Sequence, residues 1–351
     1  MNIISFFLQN QIKKKIISLS VYFLIMPLHA FHNNILSSLQ NIYSSTPFPP
    51  LFLSFIGISY ISFKFFSFFN FFYKKFLRSK KNLVQTYGEN TWALITGASD
   101  GIGQAFCEEL AQSGFNICLL ARNREKLIRV EEQIKKINSK IRTMVVVSDL
   151  SKSYEEDFIL RIEEQIKDID ISILVNNAGI ADSNYFERSN PILLKEMILT
   201  NALAPVLLTR CIIVKMLARN KKSAVINLAS FSASRPIPYV TVYGGTKAFD
   251  DYLARALAIE YQGKIDFMSL RPNWVSTKMS KKRFNKFDVI TPNTCAKDGL
   301  SELGYETVTA GNWIHSAIEK IANTLVSDNH IKLSAMKTLK RIKEKEQKKN
   351  E

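Results

Sequence analysis

Four cysteines in 351 residues, Cys107, Cys118, Cys211 and Cys295, stand far apart, with neither paired spacing nor histidine partners. Their scarcity argues against a disulfide framework and a zinc site, and it suits a reducing compartment. Internal repeats are also absent, which sets aside solenoid and propeller architectures. Acids are nearly missing from the two ends: residues 1–90 carry nine Lys and Arg against Glu89 alone, and residues 332–351 carry eight against three acids. Of the net charge of +16, only +3 is left for the 241 residues between, so the middle of the chain is almost balanced. Basic ends beside apolar sequence, with little aromatic interleaving beyond it, argue against nucleic acid and suit an anionic membrane surface.

Two long apolar runs are present, residues 16–31 and 51–73, and the second holds Lys64 as its one charge. The second is long enough to cross a bilayer, whereas the first is marginal, with Pro27 and His29 near its end. Lys13, Lys14 and Lys15 precede the first run, and Lys74, Lys75, Arg78, Lys80 and Lys81 follow the second, while residues 32–50 have no Lys or Arg. If both runs insert, this asymmetry predicts a hairpin with both termini in the cytosol. If only the second inserts, the rest of the chain still lies on the cytosolic side. Three regions follow: a membrane anchor over 1–85, a globular domain over 90–331 and a basic tail over 332–351.

Within the domain, apolar runs at 92–96, 116–121, 143–147, 171–176, 224–229 and 265–270 alternate with charged amphipathic stretches. That rhythm predicts an α/β fold, a Rossmann-type doubly wound parallel sheet with helices on both faces. The first run leads into TGASDGIG at 96–103 and then a helical stretch over 102–112. Strand, glycine turn and helix in that order form a pyrophosphate cradle. Gly97 turns the chain, Gly101 admits the phosphates and Gly103 lets helix pack on strand, with Ser99, Asp100 and Ile102 completing the cradle. At the end of the second run stands Arg122, where a carboxylate would favour NAD; a cation there favours the 2′-phosphate of NADP(H). Asp149 follows the third run as a candidate for the adenine amino group, and Asn177, in NNAG at 176–179, lies where a cofactor would pass.

Tyr243 and Lys247, in YGGTK, are four residues apart and share one helical face. A free tyrosine titrates near pH 10, and an adjacent ammonium stabilises its phenolate, which makes a workable general acid for a carbonyl oxygen that receives hydride. Ser230, thirteen residues earlier, is placed to orient the same oxygen, and Asn201 to hold a water that links Lys247 to solvent.

With TGASDGIG, NNAG, Asn201, Ser230, YGGTK and the turn at 272–277, the chain resembles the short-chain dehydrogenase/reductase superfamily over residues 91–325. The resemblance implies that Val275 and Thr277 close on the nicotinamide, although Asn273 departs from the glycine common in that turn, and that Tyr243 and Lys247 also contact the cofactor. More narrowly, the apolar N-terminal segment, Arg122, the Pro236-Ile237-Pro238 loop and residues 291–318 resemble the very-long-chain 3-oxoacyl-CoA reductases, grouped with the 17β-hydroxysteroid dehydrogenases of types 12 and 3. That implies NADPH-dependent reduction of a 3-ketoacyl-CoA at the endoplasmic reticulum, through a substrate-loop region at 273–318. Other elongation enzymes and a second copy of the chain are the implied protein partners. Lys348-Lys349-Asn350-Glu351 resembles a dilysine retrieval signal, which requires a cytosolic C-terminus. A hydroxysteroid dehydrogenase and a non-catalytic NADP-binding membrane protein are the alternatives.

Overall fold

Runs of Ile, Leu, Val and Ala form the strands of a seven-stranded parallel sheet: β1 (Trp92–Thr96), β2 (Asn116–Ala121), β3 (Thr143–Val147), β4 (Ile171–Asn176), β5 (Ser223–Leu228), β6 (Ile265–Leu270) and, after a separate two-stranded pair of β7 (Trp274–Val275) and β8 (Val289–Ile290), β9 (Val308–Thr309). The computed structural model describes residues 50–280, 287–327, 329, 330, 333 and 336. The apolar run at 16–31 and most of the basic tail lie outside them.

Sheet order is β3-β2-β1-β4-β5-β6-β9. Strands covered on both faces have no polar side to show, which is why β1, β2, β4 and β5 read as continuous apolar runs. Alternation still decides which core each side chain joins. Ala93 and Ile95 of β1 face one cluster and Trp92 and Leu94 the other; Ile117 and Leu119 of β2 oppose Cys118 and Leu120 in the same way. The helices are α1 (Pro50–Phe72), α2 (Leu83–Tyr87), α3 (Gly101–Gln112), α4 (Arg124–Ile137), α5 (Phe158–Gln165), α6 (Pro191–Ile198), α7 (Ala204–Leu217), α8 (Thr241–Glu260), α9 (Pro292–Glu302) and α10 (Trp313–Leu325). Phe106 and Leu110 of α3, Leu127 and Ile134 of α4 and Leu300 of α9 cover the first face. Phe158 and Ile162 of α5 and Leu208 and Ile212 of α7 cover the second. The doubly wound sheet is therefore present as the sequence predicts, with β5 one residue earlier than expected.

The described chain divides into a unit ending at Ser79 and a unit from Lys80 that holds the sheet. In the first, α1 carries Phe63, Phe65 and Phe66 at 67%, 70% and 67% exposure, so no described residue covers these rings. Residues Ser54–Leu77 are long and apolar enough to cross a membrane. The run Pro191–Leu217 meets the same criterion but packs Met197, Ala204, Leu208 and Ile212 inside the sheet's unit, as a core helix does. In that unit α2 buries Leu83 and Tyr87, and the Tyr87 hydroxyl donates to Asp266 Oδ2 at 3.0 Å.

All four cysteines are free and buried, and burial pushes the thiols of Cys118 and Cys295 up to about 12.

Candidate active site

In a parallel sheet the carboxyl ends share one rim, and the strand order reverses between β1 and β4. Gly97 (φ +65°) and Gly101 (φ +59°) adopt the left-handed backbone that glycine tolerates, so the chain leaves β1 and re-enters as a helix within a few residues. The first-turn amides of α3 have no carbonyl partner within the helix. Asp100 caps it by accepting from Gly101 N at 2.8 Å, and its carboxyl also pairs with Lys278. Burial raises the Asp100 carboxyl, while the Lys278 contact and the Gly101 amide outweigh burial and hold it below its ordinary value. Thr277 stands over Gly101, where an added Cβ would lie 3.3 Å from its Cγ2. The turn after β6 thus reaches the glycine turn after β1.

Across the β1–β4 boundary, Thr96 Oγ1 accepts from the amides of Asn177 (2.9 Å) and Ala178 (3.0 Å), and the Asn177 side chain donates to Thr96 O at 2.8 Å. Val275 is buried in β7, and Thr277 N donates both to Val275 O and to Ser280 Oγ at 2.9 Å. Arg122 is exposed at the end of β2. Asp149 caps the short helix at 150–152 by accepting from Ser151 N at 3.0 Å and Ser151 Oγ at 2.9 Å.

The candidate catalytic residues Asn201, Ser230, Tyr243 and Lys247 come from three elements. Asn201 lies in a π-helical turn (Leu199–Leu203) between α6 and α7, a widened turn of the kind that re-aims a side chain. Fully buried, it accepts from Ile180 N (2.9 Å) and donates to Ile180 O (2.9 Å) and Thr246 Oγ1 (3.1 Å). Thr246 in turn donates to the carbonyl of Tyr243 at 2.9 Å. A Cβ on Gly179 would meet Asn201 Oδ1 at 3.4 Å and Lys247 Nζ at 3.6 Å, so the two side chains converge on that glycine. Ser230 caps the short helix Phe231–Ala233, accepting from Ser232 N at 3.2 Å, and a Cβ on Gly244 would lie 3.7 Å from Ser232 O. The Ser230 turn therefore abuts α8 beside Tyr243. The Tyr243 hydroxyl has no hydrogen-bond partner among the described residues, and its ring lines a narrow cleft with Asp182, Asn184, Met197 and Tyr239.

Three further residues shape this region and belong to none of the sequence motifs. Asp250 pairs with Lys247 Nζ at 3.0 Å; its position three residues on, on the same helical face, is the signal that points to it. Tyr239 holds φ at +71°, packs edge-on to Tyr185 at 5.1 Å and accepts from Asn184 N at 2.9 Å. His315, fully buried, accepts from Asn273 N at 3.2 Å through Nδ1 and contacts Asp288 O at 3.1 Å through Nε2, bracing the turn that leads to Thr277. Neither residue carries a local sequence signature. Among the described residues no cluster of His, Cys, Asp and Glu suits a metal ion.

Residues 91–287 match the family model for short chain dehydrogenases. The chain is 34% identical over 250 residues to the very-long-chain 3-oxoacyl-CoA reductase-B of Danio rerio, covering 70% of this chain and 79% of that protein. It is 35% identical over 244 residues to the hydroxysteroid dehydrogenase-like protein 1 of Gallus gallus, covering 67% and 71%. A solved structure of a 7β-hydroxysteroid dehydrogenase superposes with a TM-score of 0.65 at 23% identity, over 72% of this chain and 99% of that one. The parallel-sheet topology agrees with that superposition, and the chain belongs to the short-chain dehydrogenase family.

Proposed function

We propose that this chain reduces the ketone of a long-chain 3-ketoacyl-CoA to the 3-hydroxyacyl-CoA with NADPH, as an elongation enzyme of the endoplasmic-reticulum membrane whose catalytic domain faces the cytosol. The observation that carries the reading is the convergence of Asn201 and Lys247 on Gly179, joined through Thr246 to Tyr243, in a chain similar to a named 3-oxoacyl-CoA reductase. The left-handed glycines and first-turn amides of α3 fit a pyrophosphate, and the exposed Arg122 fits a 2′-phosphate. NADPH, when bound, supplies the hydride. Tyr243 gives its proton to the carbonyl oxygen, Ser230 donates a hydrogen bond that holds that oxygen, and Lys247 stabilises the phenolate left behind. Asn201 fixes the Ile180 carbonyl through which a water re-supplies the proton. Asp149, Asn177, Val275 and Thr277 line the proposed cofactor path. Helix α1 keeps the chain where long acyl chains partition, which favours a lipid substrate.

Similarity to a hydroxysteroid dehydrogenase-like protein supports a steroid ketone as the second reading. NADPH oxidation by the membrane-bound protein separates the two, using a ladder of 3-ketoacyl-CoA lengths against a 17-ketosteroid. A preference for the steroid of roughly tenfold or more in kcat/KM overturns the acyl-CoA reading. In the same assay Tyr243→Phe is expected to abolish turnover and keep NADPH binding; retained turnover would remove the proposed acid.

A further inference from the structure

Lys247 is set in an unusual environment for a residue that works by its charge. Its ammonium donates to Leu228 O at 2.6 Å and pairs with Asp250 Oδ2 at 3.0 Å, and the two side chains are 5% and 2% exposed. Two of its three N–H groups are thus committed. Asp250 is equally fixed. Its carbonyl accepts from Asn227 Nδ2 at 3.1 Å, Asn227 Oδ1 accepts from Asn176 at 2.9 Å, and its own Oδ1 finds no hydrogen-bond partner among the described residues. Tyr243, Lys247 and Asp250 stand at i, i+4 and i+7, one stripe of α8.

We infer that Asp250 is a positioning residue for the proposed reaction, a buried counter-ion that parks the Lys247 ammonium against β5 and limits how much of its charge acts on Tyr243. At a buried site a carboxylate this close cancels much of an ammonium's field, because bulk solvent screens neither group well. The inference rests on the proposed role of Tyr243 as the acid. The groups that face Asp250 are Lys247 and Asp251 from its own helix and the Asn227 amide from β5; Asp251 is itself held by Ser269 (2.6 Å), Arg271 (2.7 Å) and Arg255 (3.0 Å). Burial pushes the Asp250 carboxyl up to about 6, against the pull of Lys247, so its charge develops within the working pH range. Above about pH 6 the pair is neutral overall, and the ammonium's hold on a phenolate is weakest.

The test uses the full-length membrane protein and records kcat/KM for NADPH-dependent ketone reduction from pH 5 to 10, with NADPH affinity and thermal melting alongside. Asp250→Asn removes the counter-charge and keeps the shape, so phenolate formation becomes easier and the alkaline limb of the profile is expected to move to lower pH by at least about half a unit. Asp250→Glu, which restores the charge, is expected to keep the limb in place. A profile for Asp250→Asn that superimposes on the wild type, or differs by one constant factor at every pH, overturns the inference. If Asn is not tolerated, Asp250→Ser carries the same expectation, and failure of both to fold assigns Asp250 a structural role instead. Should Tyr243→Phe prove active in the same assay, the proposed function falls; if Tyr243→Phe is inactive and the Asp250→Asn limb is unmoved, this inference alone falls.

Discussion

Gly103 sits directly against the side chain of Asn177: a Cβ on that glycine would lie 2.4 Å from Asn177 Nδ2 and 2.3 Å from the carbonyl oxygen of Gly97. A backbone oxygen cannot swing away, so any side chain at 103 must push α3 off β1 and open the turn between them. Gly103→Ala is expected to weaken NADPH binding at least tenfold and to cost about 1–3 kcal/mol of stability. Fluorescence titration with NADPH and denaturant unfolding read the two effects.

Tyr239 is a non-glycine residue at φ +71° on the rim of the Tyr243 cleft. Strain of this kind is held by its surroundings, here the Asn184 hydrogen bond and the Tyr185 ring. Tyr239→Gly and Tyr239→Ala both lose the ring contact, but only glycine also sheds the backbone strain. The glycine variant is expected to be the more stable of the two by about 1 kcal/mol in urea unfolding.

His315 is neutral in the folded chain, with burial driving it down to about 4 against the opposing pull of Asp288 O, Asp298 and the Trp274 backbone. The unfolded chain takes up a proton near pH 6.5, so the folded state is disfavoured progressively as pH falls from 6.5 towards 4 and is unaffected by this group above 6.5. His315→Gln should remove that slope, and the difference between the two unfolding curves across the window is expected to be on the order of 3 kcal/mol. The comparison must be made between the two proteins, because Asp250, raised to about 6, contributes the opposite slope between 3.8 and 6 in both.

For α1, the proposed membrane role predicts that Phe63→Arg with Phe66→Arg releases the chain from a carbonate-washed membrane pellet. Each arginine at the centre of a spanning helix costs about 2.5–3.5 kcal/mol of insertion. Unchanged retention in the pellet counts against a span at 54–77.

Much of the fold was readable because covered parallel strands announce themselves as apolar runs: the bounds of β1, β2, β3, β4 and β6 coincide with those the sequence predicts. Pairs as short as Trp274–Val275, Val289–Ile290 and Val308–Thr309 cannot develop a period, so β7, β8 and β9 escape any pattern search. The site divides in the same way. Glycine spacing and the Tyr243–Lys247 step are local and legible. The π-helical turn under Asn201 is a matter of which carbonyl each amide selects, which Leu199-Thr200-Asn201-Ala202-Leu203 does not encode. Asp250 beside Asp251 reads as a solvated face, since acids are seldom fully buried; the step from Lys247 marks Asp250 as its neighbour, but the burial of both acids follows from the packing of α8.

With every native sulfhydryl sealed in the interior, maleimide reagents should leave the folded chain largely unmodified. One cysteine introduced at an exposed position such as Glu187 would then accept a dye at a single known place, and spectroscopic distances could be measured without first stripping out the natural thiols.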